Sequence, residues 1–308
     1  MLKTITALIC CAILSAAVLA GCDSQGGSSD TTVVATTGIL ADIAEQVAGP
    51  HVDVKQLIPT GGSPHDFQLS AQGRQEMEEA DLVVADGADL EATIPLDETD
   101  APVWRLADHV GPLLPFSAPA DVPGESGTEA AEPRGPSDPH VWMDPHRVAD
   151  AMPSLGAALG AADPDGAAGY RHRARRFAAA LDAVDRRVVA TLRPLVLDAR
   201  QLVTSHDALR YFADRYDFRV VATAFPASGP EAEASASDLA EVEDAVRAAG
   251  VPTVFAGEED DPETLQIVAS DTGVGVEDGL YVESPGPEAG YPQMLVRDAR
   301  LIAAGLQG

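Results

Sequence analysis

Three histidines in this chain stand in similar company. His65 follows the turn-rich run Gly61-Gly-Ser-Pro64 and precedes Asp66-Phe67. His140 lies within Asp138-Pro-His-Val-Trp-Met-Asp-Pro145, and His206 within Leu202-Val-Thr-Ser-His-Asp-Ala208. A single imidazole is not a metal site, because a bound ion needs a set of donors. Glu283, in Gly279-Leu-Tyr-Val-Glu-Ser284, supplies a carboxylate from a similar position just past an apolar run. Three imidazoles and one carboxylate would form a near-tetrahedral nitrogen and oxygen site, which favours a borderline ion such as Zn2+. The four are far apart in sequence, so only a fold that gathers strand ends can assemble them. The acidic run Glu258, Glu259, Asp260 and Asp261 also follows an apolar segment. It is a rival source of the fourth ligand, or an acidic helix start complementing the helix dipole. Asp66, Asp144 and Asp207 lie beside the histidines. They could orient the rings through the second ring nitrogen or cap the helices that follow. His51, His109 and His172 read as surface or unpartnered positions, and His146 as a surface group or a neighbour of the site.

The elements that must position these residues alternate along the chain. Thr32–Thr37 reads as a buried strand, 38–48 as a helix with Ile39, Leu40, Ile43 and Val47 on one side, and 51–58 as a strand. A helix over 70–79, a short apolar strand over 81–86 and a strand over 103–106 follow. Residues 117–138, rich in Pro, Gly, Ala, Ser and Glu, read as a loop or insertion. A helix over 145–160 precedes a long charged helix over 163–195. The second half repeats the grammar: strand 201–204, helix 207–216, strand 219–223, helix 235–249, strand 251–256, helix 262–272, strand 279–282 and helix 287–306. Alternation of this kind predicts an α/β protein of two lobes, each a mostly parallel sheet covered by helices, joined by one long bridging helix. The expected division is an N-terminal lobe over 31–162, the bridging helix over 163–196 and a C-terminal lobe over 197–308. In such sheets ligands sit at the carboxyl ends of strands; His65, His140 and His206 follow strand ends or turn-rich loops, and Glu283 lies just past a strand.

The chain has 308 residues, with Lys+Arg 20 against Asp+Glu 49 and a formal net charge of -29. That balance excludes a nucleic-acid partner, which requires a basic face. Residues 1–22 begin with Lys3, continue as an apolar run too short for a comfortable membrane span, and end in Leu19-Ala-Gly-Cys22. This ending resembles a bacterial lipobox, in which Cys22 is lipidated, and 23–30 reads as a flexible tether. The other two cysteines, Cys10 and Cys11, fall inside the signal, so neither a disulfide nor a cysteine metal site is expected in the mature chain. The expectation is an extracytoplasmic, lipid-anchored monomer.

Taken together, these runs resemble the zinc and manganese solute-binding proteins of ABC importers, often called TroA-like or ZnuA-like. The Pro64-His65-Asp66-Phe67 run is similar to the family's first ligand motif, and Asp138–Pro145 to its second and most specific. Thr204–Ala208 with Tyr211-Phe212 is similar to the third, and Leu280–Glu283 to the segment carrying the last acidic ligand, usually Asp. Ser228-Gly-Pro-Glu-Ala-Glu-Ala-Ser235 resembles a further family run, and Glu231 in it is implied to hold the loop near the site. The resemblance implies a metal buried between two lobes and delivery to a membrane permease. Two features depart from the common pattern: the 117–137 loop is acidic but holds no histidine, and Glu replaces Asp at 283. Histidine at 206, where manganese members tend to carry a carboxylate, favours zinc over manganese. Two other classes compete. A zinc hydrolase would leave a coordination position to water, with Glu283 or Glu258 as base, but the chain has no His-Glu-x-x-His run. A surface adhesin fits an acidic lipoprotein only loosely.

Overall fold

The computed structural model describes residues 31–65, 67–115, 137–224, 236–258, 260, 262–286 and 290–308. The signal with Cys22, the tether, Asp66, most of the 117–138 loop, Glu231, Glu259 and Asp261 lie outside these residues. The first sheet contains β1 (Thr32–Ala35), β2 (Asp53–Gln56), β3 (Leu82–Ala85) and β4 (Val103–Arg105), in the order β2-β1-β3-β4. The second contains β5 (Gln201–Thr204), β6 (Arg219–Thr223), β7 (Thr253–Gly257) and β8 (Gly275–Leu280), in the order β6-β5-β7-β8. All strand pairs are parallel. The central strands β3 and β7 are buried along their whole length, as expected when helices cover both faces of a parallel sheet.

Helix α1 (Gly38–Ala48) begins where the Thr37 side chain accepts the Leu40 N–H, and it ends at Gly49, whose φ of 77° suits glycine. It is followed by α2 (Ala71–Glu78), α3 (Pro145–Ala162) and α4 (Ala167–Leu192). The second half adds α5 (Arg210–Tyr216), α6 (Ala236–Ala249), α7 (Pro262–Thr272) and α8 (Tyr291–Gln307). Asp144 caps α3 through the backbone N–H groups of His146 and Arg147, with Pro145 at the first helical position. The long helix is shorter than its sequence pattern suggests. Asp163 instead shapes the turn before it, accepting the Asp165 and Gly166 N–H groups and the Tyr170 hydroxyl.

Helix α4 buries Tyr170, Ala174, Phe177, Leu181, Val184, Val188 and Leu192 along one stripe and packs against α1 and α3 as well as α8. One continuous core runs from Val33 and Ile39 through Leu155 and Leu181 to Phe212 and Ile302, so the two lobes share their main core. Smaller clusters fill the outer faces, around Met77 and Leu57 in the first lobe and around Val254 and Leu265 in the second. The segments that carry the candidate donors therefore face each other across a seam fixed by helix packing.

Candidate metal centre

Three of the candidate donors follow the carboxyl end of a strand, and the fourth, His140, leads into the 3-10 turn before α3. His65 follows β2, and its backbone N–H is held by the Ser63 hydroxyl at 3.3 Å. His140 lies between β4 and α3, His206 just past β5, and Glu283 just past β8. The structure brings the four together: one donor atom from each lies within 4.8 Å of all the others. Among the described residues no other group of three or more His, Cys, Asp or Glu side chains gathers in this way. The side chains of His140, His206 and Glu283 are almost wholly buried, while that of His65 keeps 20% of its surface in solvent.

The ring nitrogens are sorted by carboxylates behind them. Asp138 Oδ1 lies 2.8 Å from His140 Nδ1 and also accepts the His140 backbone N–H at 2.9 Å. Asp260 Oδ1 lies 3.3 Å from His206 Nδ1. Asp260 is itself fixed by the Ser205 hydroxyl and by the Gly257 N–H at 2.8 Å. In the neutral ring a carboxylate at Nδ1 makes that nitrogen the N–H donor and leaves the Nε2 lone pair directed at the cluster, the usual arrangement behind metal-binding histidines. Sequence reasoning missed Asp138 as such a partner and took Asp260 only as part of a rival ligand run. Asp260 backs a histidine instead, and Glu258 of the same run is exposed. Asp144 serves as the α3 cap and pairs with Arg147 and Arg215. Asp207 pairs with Arg210. His146 faces Asp182 at the surface, and His109 stacks on Trp104.

The electrostatics are those of a cation site. Oε1 of Glu283 lies 3.2 Å from His65 Nε2 and 3.4 Å from His206 Nε2. Neither approach has hydrogen-bond geometry, and both Glu283 oxygens are buried with no hydrogen-bond partner among the described residues. Burial pushes the Glu283 pKa up, but the facing imidazoles of His65, His206 and His140 outweigh it and hold the carboxyl below its usual range. Burial likewise opposes the charge on His206, yet Asp260, Glu283 and Asp207 raise its pKa to about 9. A buried carboxylate oxygen without a hydrogen bond costs about 1–3 kcal/mol. An ion between the four donors would remove that cost. The donor set, three imidazole nitrogens and one carboxylate, suits a divalent transition metal.

Two parallel sheets meeting over a buried histidine–carboxylate cluster define a metal-binding solute-binding protein. The chain belongs to the family described as zinc-uptake complex component A, periplasmic, which it matches over residues 33–305. It is thus the metal-binding component of an ABC transporter. It is 25% identical over 307 residues to the manganese ABC transporter substrate-binding lipoprotein PsaA of Streptococcus pneumoniae, covering 95% of this chain and 96% of that one. It is 26% identical over 303 residues to the manganese-binding lipoprotein MntA of Halalkalibacterium halodurans, covering 94% and 95%. The fold matches the periplasmic zinc binding protein TroA of Treponema pallidum with a TM-score of 0.77 at 22% identity, over 90% of this chain and 99% of that one. It also matches the laminin binding protein Lmb of Streptococcus agalactiae, described as a bifunctional protein with adhesin and metal transporting activity. There the TM-score is 0.72 at 22% identity, over 90% of this chain and 99% of that one.

Proposed function

We propose that this protein captures Zn2+ outside the cytoplasmic membrane through His65, His140, His206 and Glu283 and hands it to a membrane permease. The observation that carries this reading is the Glu283 carboxylate, buried, faced by imidazole nitrogens and with no hydrogen-bond partner for either oxygen among the described residues. Four protein donors close a tetrahedral sphere and leave no position for a reactive water, which suits capture rather than catalysis. Lipidation of Cys22 would tether the monomer at the membrane surface beside its transporter.

A second reading is manganese, favoured by the relatives named for that metal. The donors speak for zinc: manganese sites draw mainly on carboxylate, carbonyl and water oxygens, whereas imidazole suits zinc. The likeness to Lmb bears on the fold, and adhesion has no separate support in the site. The test is elemental analysis of protein purified without chelator, followed by competition between zinc and manganese for the stripped protein. About one zinc per chain, held against excess manganese, is the expected result. One manganese retained in the presence of zinc would replace the ion and keep the site. No uptake of either metal would overturn the reading.

A further inference from the structure

The turn that carries His140 also grips the opposite lobe. Residues Val141–Met143 form a buried 3-10 turn directly after His140. Trp142 in this turn donates its indole Nε1–H to the carbonyl of Val282 at 2.7 Å. Val282 is the residue before Glu283, in the segment between β8 and α8. The Trp142 carbonyl accepts the Tyr291 hydroxyl at 2.6 Å, and the Tyr291 backbone N–H donates to Asp42 of α1 at 2.8 Å. Trp142 is 2% exposed and Tyr291 wholly buried.

Among the described residues the Glu283 carboxylate has no hydrogen-bond partner to hold it. Its place is set by the backbone it hangs from, and that segment is neither strand nor helix. Among the described residues two hydrogen bonds anchor it near the donor: the Tyr281 N–H to Asp298 at 3.2 Å, and the Val282 carbonyl to Trp142. The second lies one residue from Glu283 and comes from the other lobe. We infer that Trp142 is a positioning residue for the fourth donor: its indole N–H, reaching across the seam, fixes where the Glu283 carboxylate stands against the three imidazoles. The first lobe thereby controls a ligand that the second lobe supplies. This rests on the reading of Glu283 as a metal ligand. Groups that orient a ligand cost about 10–100-fold in metal affinity when removed.

The experiment is a double-mutant cycle on the full chain, with Zn2+ affinity read by competition against a chromophoric chelator. Trp142→Phe removes the donor and keeps an aromatic ring. It is expected to weaken Zn2+ binding about 10–100-fold in the parent, but to add less than about threefold in a Glu283→Gln background, since the group it positions is then already lost. In a His65→Ala background it should retain its full effect. Equal losses with and without Glu283→Gln would overturn the inference, because the effect would then run through His140 or the fold at large. So would an unchanged affinity. Tyr291→Phe removes one hydrogen bond to the same turn and should show a smaller loss with the same dependence on Glu283. If Trp142→Phe does not fold, this second cycle decides, and additivity there overturns the inference. If Glu283→Gln alone leaves affinity unchanged, the four-donor reading fails and takes this inference with it.

Discussion

His206 sets the conditions under which the site can load. Burial disfavours its charged form, but Asp260, Glu283 and Asp207 together lift its pKa to about 9. The metal-free protein therefore carries a proton on His206 at neutral pH, and an incoming ion must displace it. Since only the neutral ring can ligate, affinity should fall about tenfold per pH unit below about pH 9, well before an ordinary imidazole near 6.5 would protonate. Competition titrations from about pH 7 to about pH 10 check this, and a flat profile over that range would contradict it. The linkage to stability has a definite sign. A pKa raised on folding stabilises the metal-free protein fully below the unfolded value of about 6.5 and is lost as pH rises through about 9. Asp260→Asn should move the affinity profile toward lower pH by removing the main charge that holds the proton. The four side chains that cluster were legible in the sequence as matched chemical types, three after strand-like runs and His140 within Asp138–Pro145. Their partners were not. Asp138 sits two residues from His140, but only a backbone that turns back brings it under Nδ1. An acidic run after a strand shows where Asp260 is, not which ring nitrogen it faces.

At the scale of elements, the scaffold depends on how closely α3 and α4 approach. A Cβ added at Gly156 of α3 would stand 2.9 Å from the Ala174 Cβ and 3.3 Å from the Tyr170 carbonyl oxygen of α4. In an isolated helix Gly→Ala gains about 1 kcal/mol. Here neither neighbour is a flexible side-chain end, so overpacking of about 1–3 kcal/mol should outweigh that gain. Gly156→Ala is expected to lower the melting temperature of the metal-free protein while metal stoichiometry stays at one per chain. A rise in melting temperature would mean that the helix pair can separate without loss. Most elements were legible from alternation: β6 and α7 have the expected bounds, and the buried strands β1, β3 and β7 stand out as apolar runs. The strand β8 was misplaced. Its Gly275–Leu280 sequence, GVEDGL, lies at the sheet edge with one fully buried residue, so it lacks the apolar run that marks a central strand. The apolar residues Leu280 to Val282 drew the expected strand toward the turn that carries Glu283. Helices α4 and α5 begin later than the expected 163 and 207, α4 because Asp163 shapes the turn before its first residue.

For the molecule as a whole, the decisive feature is that the lobes do not have separate main cores. Lobes joined by a small polar interface move relative to each other by default. Here α4 packs on α1, α3 and α8, and one core runs through both halves. The seam beside the site is sewn as well. The Tyr211 hydroxyl donates to the Asp138 carbonyl at 2.9 Å and accepts the Leu114 N–H at 3.0 Å. Arg215 of α5 holds Asp185 of α4 through two hydrogen bonds of 2.8 and 2.9 Å, and Tyr216 adds a third. Opening a wide cleft would break these contacts and expose shared apolar surface, at about 25 cal/mol for each Å2 uncovered. An ion can shift such an equilibrium only by its difference in affinity for the two states. Loading is therefore expected to proceed by local movement at the donors, with His65, the most exposed of the four, as the side open to solvent. Small-angle scattering of the metal-free and metal-loaded protein should give superposable profiles. Hydrogen exchange should show protection gained on metal binding at the donor loops and little change along α4. A smaller radius of gyration on metal binding, with protection spreading into α4, would show instead that the lobes hinge and that the shared core yields.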